Sequence, residues 1–342
     1  MRALVVTGPR EAGVQDVPEP VAQPGQLVVD IERVGICGTD VEFYTGEMAY
    51  FGLGYAHYPL RLGHEWAGRV SAVSDPADEH WIGARITGDT MLGCGVCSYC
   101  VAGHQHVCPN RYEVGIRGGW PGALAEKLVI PTRFAYMIPE NVSHAAAGLI
   151  EPGANSLRAV RGANIEAGQQ VLVLGSGTIG LLSAQFALAA GAEVTVGGVR
   201  EGSLALAREL GVPHTVQLDE LAASGPDRFD AVIECTSNET MPALAVRLTR
   251  PAGRVVFIGL SASPSLVDTR DIALQDITAV GVLSGSGGQA GAIEAFASGA
   301  VVPDALVSEV VGLEDVPDRF EGRRGVDAGP GPKVLVDPQL LR

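Results

Sequence analysis

Two groups of side chains in this 342-residue chain have the types and spacing to hold metal. In Leu62-Gly-His-Glu-Trp-Ala-Gly68, His64 and Glu65 offer an imidazole and a carboxylate side by side. A His-Glu pair alone reads as a buried histidine bonded to backbone, but Cys37 and Glu151 change that balance. Cys37 lies in Gly35-Ile-Cys-Gly-Thr-Asp40, after the apolar run Leu27 to Ile31, where a thiolate would emerge at a strand end. Glu151, in Ile150-Glu-Pro152, is an acid in apolar surroundings with a proline fixing the turn after it. Thiolate, imidazole and carboxylate together are the ligand set of a catalytic zinc, which keeps one position open for water or substrate.

The second group is Cys94, Cys97, Cys100 and Cys108, spaced C-x2-C-x2-C-x7-C. In a chain without an export signal this spacing predicts a metal site rather than disulfides. Four thiolates threaded through Gly93, Gly95 and Gly103 reach one tetrahedral ion at about 2.3 Å each, and no open position remains. The expected ion is therefore a structural Zn2+. Cys235, in Val232-Ile-Glu-Cys-Thr-Ser237 at the end of an apolar strand, reads as a small buried hydrophobe.

A third motif calls for an anion. The strand pattern Gln170–Leu174 runs into Gly175, Ser176, Gly177, Thr178, Ile179 and Gly180, and then into the helical Leu181–Ala190. A lone G-x-G-x-x-G is weak; one that leaves a strand and opens a helix is the dinucleotide fingerprint. Gly175 permits the turn, Gly177 admits a pyrophosphate to the backbone, and Gly180 lets helix and strand pack. The helix amino terminus, with its free N–H groups, would take the pyrophosphate.

These motifs need scaffolds of different kinds. Residues 1–154 carry short β-branched runs punctuated by Gly and Pro, at Ala3–Val6, Leu27–Ile31, Gly68–Val73 and Leu124–Ile130, and predict an antiparallel, barrel-like β domain. Tyr44–Tyr58, aromatic and Gly-rich without a period, predicts a loop, whose Tyr50, Phe51, Tyr55 and His57 fit a pocket wall and surface packing equally well. Residues 155–285 alternate strands (Glu193–Val196, Phe229–Glu234, Arg254–Leu260, Thr278–Leu283) with helical stretches, which predicts a doubly wound parallel sheet. Residues 286–342 hold one helix pattern, Ala290–Ser298, and the strand Pro332–Val336; too small to fold alone, they are expected to return to the first domain.

The formal net charge of -15 argues against a nucleic-acid partner, which would demand clustered Lys and Arg. No run approaches the ~18 apolar residues of a membrane span. The start Met1 to Gly8 reads as a strand rather than a signal peptide, so the cytoplasm is the expected location.

Cys37-Gly-Thr-Asp40, Gly63-His-Glu65, the four-cysteine group, Glu151-Pro152 and Gly175 to Gly180 stand in the order and spacing of the zinc-dependent medium-chain dehydrogenases, which the whole chain resembles. Glu151-Pro152 is similar to the sorbitol, threonine and glucose dehydrogenase branch. The resemblance implies an α/β architecture: a GroES-like β-rich catalytic domain interrupted by a Rossmann domain, with the active site in the cleft between them and a homotetrameric or dimeric assembly. It implies a zinc-dependent oxidoreductase acting on a small-molecule secondary alcohol or its ketone: a polyol, sugar, aminocyclitol or hydroxy-amino acid. One zinc would be catalytic and one structural; the substrate alkoxide would form at the catalytic zinc and pass hydride to a nicotinamide. Thr39 matches the hydroxyl that relays the alcohol proton. Threonine dehydrogenases place a histidine three residues later, where this chain has Glu42, as glucose dehydrogenases do. Relatives differ in whether the carboxylate matching Glu65 or Glu151 is nearer the ion, so either is the candidate ligand.

By the same likeness Gly198 stands where NAD-binding relatives carry an acid for the ribose 2′-hydroxyl, and Arg200 follows. Loss of the carboxylate and a nearby guanidinium predict NADP over NAD, although Glu201 offers an acid if the loop turns differently. The alternative to an enzyme is a non-catalytic relic of the fold, which binds cofactor or serves a structural role.

Overall fold

The structure is a computed structural model and describes residues 1–226 and 228–340. The chain forms two compact units. One comprises residues 1–151, 307–329 and those from 333 onward; the other comprises 152–306 and 330–332.

The first unit is built around the ten-residue strand Gln26–Gly35, whose β-branched residues alternate into an apolar core. It pairs antiparallel with Glu65–Val73, with Lys127–Pro131 and with Lys333–Val336. Glu65–Val73 continues to Arg85–Gly88 and Ala135–Met137. A separate hairpin joins Arg2–Gly8 to Glu11–Asp16. The sheet departs from the expected all-antiparallel pattern at one edge, where Val307–Val311 runs parallel to Lys333–Val336. A parallel pair needs a crossover rather than a tight turn, and the residues between these strands, with the helix Val316–Phe320, provide it.

Two helices correct the sequence reading. Gly38–Thr45 is helical, so Tyr44 belongs to a helix and not to the loop that follows. Its start is fixed by Asp40, whose Oδ2 accepts from the Cys37 N–H at 2.9 Å, and its end by Gly46 in the left-handed region. Ile150–Ala163 is also helical, and Pro152 lies in its first turn rather than in a turn after Glu151. A proline is tolerated there because the first N–H groups of a helix have no internal acceptor.

The second unit is a six-stranded sheet, every pairing parallel, in the order His214–Gln217, Glu193–Gly198, Gln170–Leu174, Phe229–Glu234, Thr249–Phe257, Thr278–Gly281. The chain winds outward from Gln170–Leu174 and then outward again from Phe229–Glu234, as expected of a doubly wound sheet. Val171 to Leu174 are fully buried, which is why they read as a continuous apolar run. The short polar edge strand His214–Gln217 gave no such signal. Among the described residues no helix is long and apolar enough to cross a membrane.

Candidate active site and metal centres

The four thiols of Cys94, Cys97, Cys100 and Cys108 come together with all Sγ atoms within 4.8 Å of one another. Cys94 and Cys100 stand 4.0 Å apart, and Cys97 and Cys108 stand 3.7 Å apart. A tetrahedron with bonds of about 2.3 Å has edges of about 3.8 Å, so the cluster already has the dimensions of a zinc-thiolate site. Backbone N–H groups of Val96 and then Cys97 lower the Cys94 thiol to about 6, whereas desolvation raises Cys100 to about 12. A Cβ on Gly93 would lie 2.8 Å from Cys100 Sγ, so the glycine leaves room for the sulfur. The lobe makes little core of its own: Val96, Tyr99 and Val101 are exposed.

The second cluster is Cys37, His64 and Glu65, each offering one donor atom within 4.8 Å of the others. Cys37 caps the helix Gly38–Thr45, His64 follows Gly63 in the left-handed region, and Glu65 opens its strand. Asp40 closes the Cys37-to-Asp40 motif and is fully buried, and its role emerges only from the fold. Its carboxylate accepts from the N–H groups of Cys37 and Gly63 at 2.9 and 3.2 Å and faces His64 Nδ1 at 3.5 Å. A carboxylate behind the imidazole is the usual way to orient a metal-bound histidine. Burial disfavours a charged His64, yet Asp40 and then Cys37 outweigh it and hold the imidazole pKa well above the ordinary histidine range. The potential there favours a cation, and the donor set fits zinc.

Lys333, from the strand Lys333–Val336, is the site residue that sequence reasoning missed entirely. Its Nζ donates to Glu65 Oε2 at 2.6 Å and Oε1 at 2.9 Å. Burial acts to lower its pKa, and Glu65, followed by Cys37, raises it instead.

The remaining candidates are more dispersed. Thr39 is half-buried on the first turn of its helix, and Glu42 is exposed one turn on. Partial desolvation and then Glu47 raise the Glu42 carboxyl. Glu151 is buried but stands outside the cluster of Cys37, His64 and Glu65. In the loop after the helix, Tyr50 and Phe51 pack edge-on against Phe43, and the Arg117 guanidinium lies 3.8 Å over the Tyr55 ring.

In the second unit the fingerprint has the geometry its glycines predict. Gly175 has φ +108 and crosses beside Cys235 and Thr236, at the sheet position where strand order reverses. A Cβ on Gly177 would meet nothing within 4 Å, so the amino end of the helix Thr178–Ala189 is open, with Gly177 at its cap. A Cβ on Gly180 would fall 1.8 Å from the Gly175 carbonyl oxygen. Gly177→Ala is therefore expected to fold normally and lose at least about tenfold in nicotinamide cofactor affinity, whereas Gly180→Ala should lose about 1–3 kcal/mol of stability as well. Cofactor titration beside thermal unfolding checks both, and full affinity in Gly177→Ala would remove the cradle assignment.

At the second strand's end a Cβ on Gly198 would meet Ser176 Oγ at 2.5 Å and Leu204 Cδ2 at 2.9 Å. Arg200 is exposed at the cap of the helix Glu201–Glu209, and Glu201 is engaged by Arg208 and by the Gln217 amide.

Two family models match the chain: the alcohol dehydrogenase GroES-like domain over residues 23–140 and the zinc-binding dehydrogenase over residues 178–298. The chain is 30% identical over 275 residues to an L-threonine 3-dehydrogenase of Coxiella burnetii, covering 77% of this chain and 78% of that one. An L-threonine 3-dehydrogenase of Chelativorans sp. is 27% identical over 347 residues, covering 98% of each chain. The structure of a zinc-binding dehydrogenase from Sinorhizobium meliloti 1021 bound to NADP matches with a TM-score of 0.89 at 31% identity, covering 98% of this chain and 99% of that one.

Proposed function

We infer the reaction of this chain from its family: it belongs to the zinc-dependent medium-chain dehydrogenases, and is a dehydrogenase that uses zinc and a nicotinamide cofactor. Within that activity we propose that it oxidises a secondary alcohol of a polyol, sugar, aminocyclitol or hydroxy-amino acid, with NADP preferred. The observation that carries the proposal is the convergence of Cys37, His64 and Glu65 within 4.8 Å, in front of the buried Asp40. When bound there, zinc would supply Lewis acidity that lowers the pKa of a substrate hydroxyl. Asp40 would hold the His64 ring in one orientation and tautomer. Thr39 Oγ1 would accept the alcohol proton and pass it outward, and Glu42, on the same helix face three residues later, would receive it at the solvent side or bond a substrate hydroxyl. The test is oxidation of a panel of polyols, sugars, aminocyclitols and threonine, alongside zinc content. Two zinc ions per chain with turnover on one class supports the proposal; one zinc and no turnover on any class overturns it.

Support for NADP comes from the second unit. At Gly198 a side chain would collide with Ser176, so the strand end holds no carboxylate to repel a 2′-phosphate. Glu201 is turned toward Arg208 and Gln217, which leaves Arg200 to offer its planar fork. Native kcat/KM is expected to favour NADP, and Arg200→Ala should cost about tenfold with NADP alone, from the loss of one exposed charge-assisted contact. A native preference for NAD that the substitution leaves untouched would overturn this reading.

A further inference from the structure

The first unit contains a cavity of about 420 Å³, within the range of roughly 300–1,000 Å³ usual for small-molecule sites. None of Cys37, Thr39, Glu42, His64 and Glu65 lines it. Val17, Pro59, Ile116, Trp120 and Pro121 give it apolar walls, and Arg61 brings a guanidinium to them. Trp120 is held in place by the bond from its Nε1 to the Val129 carbonyl at 3.1 Å.

Arg61 sits on a segment bonded along both edges: Leu60 exchanges two backbone bonds with Val6, and the Arg61 carbonyl accepts from the Gly122 N–H at 2.8 Å. Leu60 and Leu62 are buried in the apolar core, and Arg61 between them takes the opposite face. It is half-buried, and among the described residues its guanidinium has neither an ion pair nor a hydrogen bond. Every other described arginine of the first unit has a partner. Burial draws the Arg61 pKa down with no acid acting to raise it, yet an arginine stays charged at neutral pH. A charge partly withdrawn from water and left unpaired is costly, and the guanidinium nitrogens are not sealed from solvent, so a ligand can reach them.

We propose that this cavity binds a small monocarboxylate with an apolar body, its carboxylate paired with the Arg61 guanidinium and its body against Trp120 and Ile116. The planar fork of an arginine meets a carboxylate in two parallel hydrogen bonds. A single cation balances a monoanion; a phosphate monoester, with up to about two negative charges at neutral pH, would be left half-paired between apolar walls.

The zinc-loaded full chain carrying 5-fluorotryptophan at its three tryptophans gives three fluorine signals, of which Trp120→Phe identifies one. On titration with 3-phenylpropanoate the Trp120 signal is expected to shift and saturate. The neutral analogue 3-phenylpropanamide should bind at least about tenfold more weakly, from the loss of one charge-assisted pair. 3-Phenylpropyl phosphate should bind no more tightly than the carboxylate. Arg61→Met should weaken the carboxylate by about tenfold or more. His64→Ala should leave the titration unchanged, which separates this cavity from a carboxylate bound to the catalytic ion. No shift at Trp120 with any probe, equal affinity for carboxylate and amide, native affinity in Arg61→Met, a phosphate held more tightly, or a titration that His64→Ala abolishes overturns the proposal. The ratio of carboxylate to amide affinity is read on the native chain, so it decides the matter even where Arg61→Met does not fold.

Discussion

His64→Ala is expected to abolish alcohol oxidation while the protein stays folded and still binds its nicotinamide cofactor. The imidazole is buried, but its loss strands no charge, because Asp40 keeps the N–H groups of Cys37 and Gly63 as donors. What disappears is a ligand, and with it several kcal/mol of transition-state stabilisation from a correctly held ion, equivalent to about a thousandfold or more in rate. The fingerprint loop lies in the other compact unit, so cofactor affinity should be unchanged. Steady-state turnover, cofactor titration and zinc content together check this. Retained turnover at two zinc ions per chain would mean that His64 is not a ligand.

Cys97→Ser should have the largest effect on stability. The cysteine lobe has the four-residue helix Ser98–Val101 and a one-turn 3-10 segment Gln105–Val107, with most of its larger side chains facing solvent. Its order is therefore expected to depend on metal coordination, in which binding free energy is folding free energy. Loss of one thiolate should lower zinc content from two ions to one and cost several kcal/mol. At roughly 2–4 °C per kcal/mol the thermal transition should fall by about 10 °C or more. Hydrogen exchange should rise first over residues 93–108. A variant that keeps both ions and its native transition would show that the thiols are not the ligands.

Legibility in the sequence followed range. The fingerprint and the cysteine group were readable because each is a local device: a turn that needs glycine, and four sulfurs within fifteen residues. The parallel sheet was readable in kind, since Val171–Leu174 and Ala231–Ile233 are continuous apolar runs. The helix Gly38–Thr45 was not, because its start depends on Asp40 capping Cys37, and the same residues suit a loop. Pro152 misled because a proline reads as a turn until the helix around it is known. Lys333 was illegible for a different reason: in Pro332-Lys-Val-Leu-Val336 it looks like a solvated strand end, and nothing local shows that a glutamate 268 residues away needs it.

That separation has a consequence for biosynthesis. At about 5–20 residues per second, roughly 13–54 s pass between the appearance of Glu65 and of Lys333 on a translating ribosome. Throughout that interval Gly35 can pair with Glu65, but the strand that would flank Gly35 on its other side does not yet exist. Until Lys333 is made, the partner that neutralises the Glu65 carboxylate in the finished fold is missing. The closing strand therefore completes more than a sheet edge: it brings the charge against which Glu65 is paired.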